Sequence, residues 1–311
     1  MKITRPDFYS EFKCIASECT DSCCIGWDIY IDEFTNEIYE NIEGEFGDKI
    51  RENISFDEDG DSCFKMKNKR CPFLNSENLC DIYITLGENY LCDICTEHPR
   101  FYNTHGEIRE EGLGLACEEA CRLILSRENP ITFVFDEDDE EPYDVEDISE
   151  LISMREKLIK IAQNRDKTIE EREKELLSLT VHPNVLDDTD KLIDIYKRLE
   201  SMEDKYSDML ENLNVNETCD VSKYENDFEH LLVYMLYRYF TEENSENGLK
   251  SDDNIYLAVS FTKVAKLCYC AETAKKGELT LKDRIDILKC LSKNIEYSDE
   301  NIESIILNIQ K

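Results

Sequence analysis

The sequence predicts a mostly α protein, with a cysteine-rich, metal-binding N-terminal domain containing little strand packed on an all-α C-terminal domain. Three observations carry that prediction. Eleven of the fifteen cysteines lie between Cys14 and Cys121. Beyond residue 150, apolar residues recur at helical spacing. Between these parts, residues 136–150 hold ten acids and no base. Like charges repel and pack poorly, so this stretch reads as an acidic linker. The expected division is a cysteine-rich metal or iron–sulfur domain over 1–135, the linker over 136–150 and a helical domain over 151–311.

In the first part, Gly26-Trp27-Asp28-Ile29-Tyr30-Ile31-Asp32 predicts a short strand by its period-two alternation. Asp32 then caps a helix over 33–43. Ile82-Tyr83-Ile84 and Ile131-Thr132-Phe133-Val134-Phe135 are two further short apolar runs, the latter rich in β-branched and aromatic residues. In the second part, helices are predicted over 145–177, 186–213, 224–241, 252–274, 279–296 and 299–310. Phe228, Leu231, Leu232, Met235, Leu236 and Tyr239 make a broad apolar face, which predicts a central helix.

A chain of 311 residues with 41% apolar content can bury a substantial core. With 10 Gly and 6 Pro, long stretches can remain helical. The net charge of −35 argues against nucleic acid or an anionic membrane as partner, since phosphate contacts need Lys or Arg. The acidity serves solubility, or attracts a basic substrate. The opening Met1-Lys2-Ile3-Thr4-Arg5-Pro6-Asp7 lacks an apolar leader core, and no run of eighteen apolar residues occurs. A cytoplasmic protein with reduced thiols is therefore expected. An odd count of 15 cysteines also fits a closed disulfide framework poorly. The sequence sets no oligomeric state.

The cysteines fall into clusters: Cys14-x4-Cys19-x3-Cys23-Cys24, Cys71 with Cys80, Cys92-x2-Cys95, and Cys117-x3-Cys121. Thiolates are soft metal ligands, and both structural zinc and a [4Fe–4S] cluster usually take four ligands. Cys19 and Cys23, four apart, would share one helix face. The irregular spacing leaves open one cluster plus a zinc, or one cluster plus spare thiols. Cys219, Cys268, Cys270 and Cys290 read as small buried hydrophobes, and Cys63 as incidental.

The string Phe8-Tyr9, Phe12-Lys13-Cys14, Cys19, Cys23-Cys24-Ile25-Gly26-Trp27-Asp28-Ile29-Tyr30-Ile31-Asp32 resembles the opening of the flagellin lysine-N-methylases, the FliB-like proteins. The resemblance continues through Cys71-Pro72-Phe73-Leu74, Leu79-Cys80-Asp81-Ile82, Leu86-Gly87-Glu88, Cys95, Pro99-Arg100-Phe101, and Cys117 with Arg122-Leu123. It spans about residues 1–125; the remainder agrees only in length and helical character. The same cysteine logic recurs in a wider group of zinc- or iron-chelating proteins. The resemblance implies an enzyme, a protein-lysine N-methyltransferase acting on flagellin with S-adenosylmethionine and an iron–sulfur cluster. The ligand pool it implies is Cys14, Cys19, Cys23, Cys24, Cys71, Cys80, Cys95 and Cys117, with Cys92 and Cys121 left out. Zinc is the alternative metal. The rival reading is a non-enzymatic zinc- or iron-binding module for storage, sensing or electron transfer.

Methyl transfer needs a neutral lysine nucleophile and a donor pocket. No glycine-rich dinucleotide loop follows a strand, so a Rossmann-type methyltransferase is not expected. Glu111-Gly112-Leu113-Gly114-Leu115 reads as a turn. His98, three residues after Cys95, is a candidate ligand or proton carrier, or else a capping residue. His105, His182 and His230 read as structural. Arg100 and Arg109 would pair with local acids, or bind a carboxylate. Tyr83, Tyr90, Phe101 and Tyr102 would pack in the core, or wall a cationic pocket. Trp27, the only tryptophan, shields a metal or fills the core.

Overall fold

The computed structural model describes residues 1–57, 59–137, 149–211, 213, 220–240 and 251–311. It is mostly α and divides into two compact units. One comprises Lys13–Phe101, and the other Met1–Phe12 with Tyr102–Lys311. Residues 102–135, expected with the cysteine-rich domain, thus belong with the helical unit, as do residues 1–12. Most of the acidic stretch, 138–148, lies outside the described residues.

The chain opens with strand β1 (Lys2–Pro6) and then enters the unit Lys13–Phe101. Here α1 (Glu33–Asn41) starts where Asp32 Oδ1 accepts from Thr35 N at 2.8 Å, the predicted cap. Next comes α2 (Glu45–Glu52), where a Cβ on Gly47 would stand 2.0 Å from the Ile42 carbonyl oxygen. Only a hydrogen fits there. A hairpin of β2 (Ile54–Phe56) and β3 (Ser62–Phe64) follows, then α3 (Asp81–Leu86) and α4 (Asp93–Glu97). The core gathers Ile29, Ile31, Tyr39, Ile50, Phe64 and Phe73. The Phe64 and Phe73 rings meet edge-on, centroids 5.0 Å apart.

Two expectations are corrected in this unit. Residues 26–32 form no strand: the chain bends at Gly26 and Trp27, and isolated bridges, Ile25–Arg70 and Tyr30–Cys63, stand in place of a continuous ladder. Ile29 and Ile31 still bury alternately, so the period-two signal reported burial rather than a ladder. Ile82-Tyr83-Ile84 is helical within α3, with Ile82 buried and its two neighbours exposed. Three apolar residues cannot discriminate strand from helix.

The chain leaves the unit Lys13–Phe101 within β4 (Arg100–His105), and β4, β5 (Ile108–Leu113) and β6 (Phe133–Glu137) join β1 in the order β4-β5-β1-β6. Strand β1 runs parallel to β5, with Ile3 opposite Arg109, and antiparallel to β6, with Thr4 opposite Phe135. Glu111 through Leu113 thus lie in a strand, and the turn follows at Leu115. The helices are α5 (Glu118–Leu125), α6 (Ser149–Ala162), α7 (Ile169–Leu177), α8 (Thr189–Lys197), α9 (Asp204–Glu211), α10 (Glu225–Tyr239), α11 (Ser251–Lys276), α12 (Leu281–Glu296) and α13 (Asp299–Ile309).

The predicted helices over 145–177 and 186–213 each prove to be two. Thr168 closes a capping box with Glu171 and restarts the chain as α7. Helix α10 is central, as predicted, and packs against α11, α6 and α5. It is buried on the polar side too, because its acids have partners there. Asp227 accepts from the Arg284 guanidinium at 2.7 Å. Glu229 accepts from Arg165 at 2.8 Å and from Arg172 at 3.0 Å. Each pair offsets the desolvation of its own charges.

Candidate functional site

The site is built by loops of the unit Lys13–Phe101 that bring distant cysteines together. Cys71 N donates to Cys24 O at 2.9 Å, and Gly26 N to Lys69 O at 2.7 Å. These bonds lay the segment after Cys24 beside the segment before Cys71. Gly26 has φ +84°, a conformation that favours glycine. Past Cys71 the chain turns, and Asp81 N donates to Phe73 O at 2.8 Å, returning Cys80 beside that turn. The Asn75 side chain holds the loop by accepting from Glu77 N at 2.9 Å and Leu79 N at 3.0 Å. Arg70 clamps it by donating to Asn75 O at 2.6 Å and Asn78 Oδ1 at 2.9 Å.

Cys92 and Cys95 arrive on α4. Asp32 fastens this helix to α1, because its Oδ2 accepts from Asp93 N at 2.9 Å while Oδ1 caps α1. Burial works to raise the Asp32 pKa. The amides of Asp93 and Thr35 outweigh it and hold the carboxyl below its usual range.

Cys24, Cys71, Cys80, Cys92 and Cys95 all pack in or against one apolar cluster. The Cys92 and Cys95 sulfurs lie 3.4 Å apart in a thiol–thiol hydrogen bond. That bond draws the Cys92 pKa down against burial, and it pushes Cys95 strongly up. Of the two, Cys92 is the easier to ionise. Cys24 is drawn down to about 7, first by the Cys23 thiol, with burial opposing and Ser22 and Arg70 assisting. Burial raises Cys71 to about 12 and also raises Cys80. The charge of Cys24 reaches Cys71, Cys80 and Cys95. Tyr39, fully buried, feels Cys92, Cys95 and Cys80 while donating to Tyr90 O at 2.7 Å. These thiols therefore form one electrostatically connected group. Among the described residues, no three His, Cys, Asp or Glu side chains stand in metal-gripping geometry.

The other members of the sequence-derived pool are placed differently. Cys14 is exposed, and its Sγ accepts from Ala16 N at 3.4 Å. Cys19 donates to Asp21 O at 3.0 Å. Cys19 and Cys23 do not share a helix face: a 3₁₀ turn ends at Glu18, and the chain is extended at Cys19. Cys117 belongs to the other unit, at the start of α5, with Cys121 fully buried on the same helix. Cys92, left out of the pool by sequence, is hydrogen-bonded to Cys95, and its Cys-x2-Cys spacing was the available signal.

Outside the group, Cys268 and Cys290 are buried thiols, as read from sequence, while Cys270 is disulfide-bonded instead. Cys219 lies outside the described residues. Burial lowers the His98 pKa to about 4, which leaves a neutral imidazole just after α4. His105 is buried beside Glu110, at 3.6 Å. The His230 ring meets Asn129 O at 3.1 Å, and the His182 backbone amide donates to Tyr256 OH at 3.0 Å. Arg109 pairs with Glu111 at 3.1 Å, and Arg100 donates to Thr96 O at 3.1 Å. Tyr83 and Tyr102 are exposed rather than core residues, and Trp27 is half-buried.

Comparison with known proteins gives two results. A family model described as the FliB lysine N-methylase C-terminal domain matches residues 174–311. That is the helical part, for which the sequence resemblance offered only length and character. Among curated proteins, the flagellar biosynthetic protein FliU of Salmonella muenchen is 31% identical over 130 residues, 40% of this chain and 77% of that protein. The lysine-N-methylases of Salmonella typhimurium and Salmonella choleraesuis are each 30% identical over 136 residues, 40% of this chain. The chain spans 32% of the length of these two. No solved structure matches. With one relative matched over most of its length and the family's C-terminal domain matched besides, this chain belongs to the FliB lysine N-methylase family.

Proposed function

We propose that the chain N-methylates lysine side chains of a protein partner, flagellin, with S-adenosylmethionine as donor. The match of residues 174–311 to the FliB lysine N-methylase C-terminal domain carries this reading. The relatives' names, lysine-N-methylase and flagellar biosynthetic protein, support the reaction and the flagellar substrate. In the reaction, the lysine ammonium gives a proton to water. Its nitrogen lone pair attacks the donor methyl, forming an N–C bond as the S–C bond breaks, and the donor leaves as the neutral thioether.

We further propose that the thiol group holds a [4Fe–4S] cluster. The chemistry of the donor set fits: Cys24, Cys71, Cys80, Cys92 and Cys95 are soft donors in an apolar setting. Cys24 and Cys92 already ionise more readily than an ordinary thiol. Cys14, Cys19, Cys23 and Cys117 complete the wider pool. When bound, the cluster would supply one-electron chemistry. The chain's own residues do the positioning. Asp32 orients α4 with Cys92 and Cys95, Arg70 holds the loop that returns Cys80, and Tyr39 shares the apolar cluster the thiols pack in or against.

The rival, a zinc- or iron-holding module without catalysis, draws on the fact that the thiol group and the family-matched segment are different parts of the chain. One experiment decides. The protein is purified without oxygen, its iron, zinc and sulfide are counted, and it is incubated with flagellin and methyl-labelled S-adenosylmethionine. Iron with matching sulfide and label on lysine is the expected result, with both lost in Cys92→Ser/Cys95→Ser. Zinc without sulfide and no label would favour the module.

A further inference from the structure

Helix α1 presents two faces. Through Tyr39 and Thr35 it faces the core that carries the thiols. Its other face, Phe34, Ile38 and onward to Ile42, forms with Leu86 and Tyr90 the wall of a groove of about 490 Å³. That volume lies in the range of specific binding sites. Phe34 is 73% exposed there, although an aromatic side chain gains from burial. Glu37 and Glu43 edge the groove and make no ion pair among the described residues. From Glu33 to Asp48 the sequence carries six acids and no base. The groove is therefore apolar inside and acidic at its rim, although the Arg51 guanidinium donates to the Tyr39 and Ile42 carbonyls at the end of α1.

We propose that this groove docks an amphipathic, lysine-bearing segment of the protein substrate. The segment's apolar side chains would lie on Phe34, Ile38 and Leu86, with its lysines or arginines against Glu37 and Glu43. Charge complementarity selects this occupant. A second copy of a chain with net charge −35 would bring acids to acids. The inference rests on the methylase reading, and it adds a substrate-holding surface apart from the thiols. Ile42, Leu86 and Tyr90 also pack against the apolar cluster, so the groove floor and the thiol group share one support.

The test uses the full chain and a fluorescein-labelled synthetic peptide with leucine and lysine at helical spacing, read by anisotropy. Phe34→Ala and Glu37→Ala/Glu43→Ala should each weaken binding roughly tenfold, about 1.4 kcal/mol. The charge variant's deficit should vanish at high salt, and a peptide with glutamate for lysine should not bind. All three side chains are exposed, so the variants should fold, and unchanged circular dichroism verifies this. Equal binding by wild type and variants would overturn the groove, as would no binding by wild type. So would a wild-type dimer in sedimentation that Phe34→Glu dissolves. Methyl transfer to the peptide is scored separately. Variant-sensitive binding without transfer by wild type counts against the methylase reading and supports the groove.

Discussion

Asp32 shows how one side chain can organise a site it does not enter. Its two oxygens satisfy the first-turn amides of two helices, at 2.8 Å and 2.9 Å, and so set Cys92 and Cys95 relative to α1. Asp32→Ala should cost about 1–2 kcal/mol by denaturant titration, the magnitude of a lost cap. Because its folded pKa lies below the unfolded one, the carboxylate's contribution is present above an unfolded pKa of about 3.9. It fades as pH falls through the folded value. Asp32→Asn should therefore lose less stability than wild type on acidification below about pH 4. Parallel loss in the two proteins would refute this. The cap itself was legible from Asp32 and the apolar rhythm after it. The second bond was not, because Asp93 is 61 residues away.

At the scale of elements, α2 shows packing overriding propensity. Ala exceeds Gly as a helix former by roughly 1 kcal/mol, which alone would make Gly47→Ala stabilising. The Cβ would instead meet the Ile42 carbonyl at 2.0 Å, and backbone cannot swing aside as a long side chain can. Gly47→Ala should thus destabilise by about 1–3 kcal/mol, and a raised melting temperature would contradict the close approach. Helix α10 makes the converse point. Its apolar face was plain in the sequence, but its burial all round depends on partners such as Arg165 and Arg172 reaching Glu229. Glu229→Ala leaves Arg172, 2% exposed, without its carboxylate, and should cost about 3–5 kcal/mol in urea unfolding. The break before α7 left a local signal that the sequence reading passed over, the capping-box spacing of Thr168 and Glu171. The continuous apolar rhythm around them hid it.

Across the whole molecule, a net charge of −35 burdens the compact state with self-repulsion. Raising sodium chloride from about 10 mM to about 150 mM shortens the screening length from roughly 30 Å to roughly 8 Å. The melting temperature should rise, by roughly 2–4 °C for each ~1 kcal/mol relieved. A flat or falling curve in differential scanning calorimetry would show instead that the ion pairs dominate. No helix among the described residues is long and apolar enough to cross a membrane, in keeping with the absence of a long apolar run.

The sequence by itself determined the mostly α class, the central apolar helix, the enrichment of thiols between Cys14 and Cys121 and the family they resemble. Those features depend on residue type and on short spacings, which helices and caps read locally. Which thiols meet was decided by the tertiary structure. Loop hydrogen bonds from Gly26, Arg70, Asn75 and Asp32 close chain segments tens of residues apart. They bring Cys24, Cys71, Cys80, Cys92 and Cys95 to one cluster, leave Cys14 exposed, and assign Cys117 to the other unit. Spacing along the chain has no knowledge of such closures, because each depends on partners that only the folded backbone brings within hydrogen-bond reach.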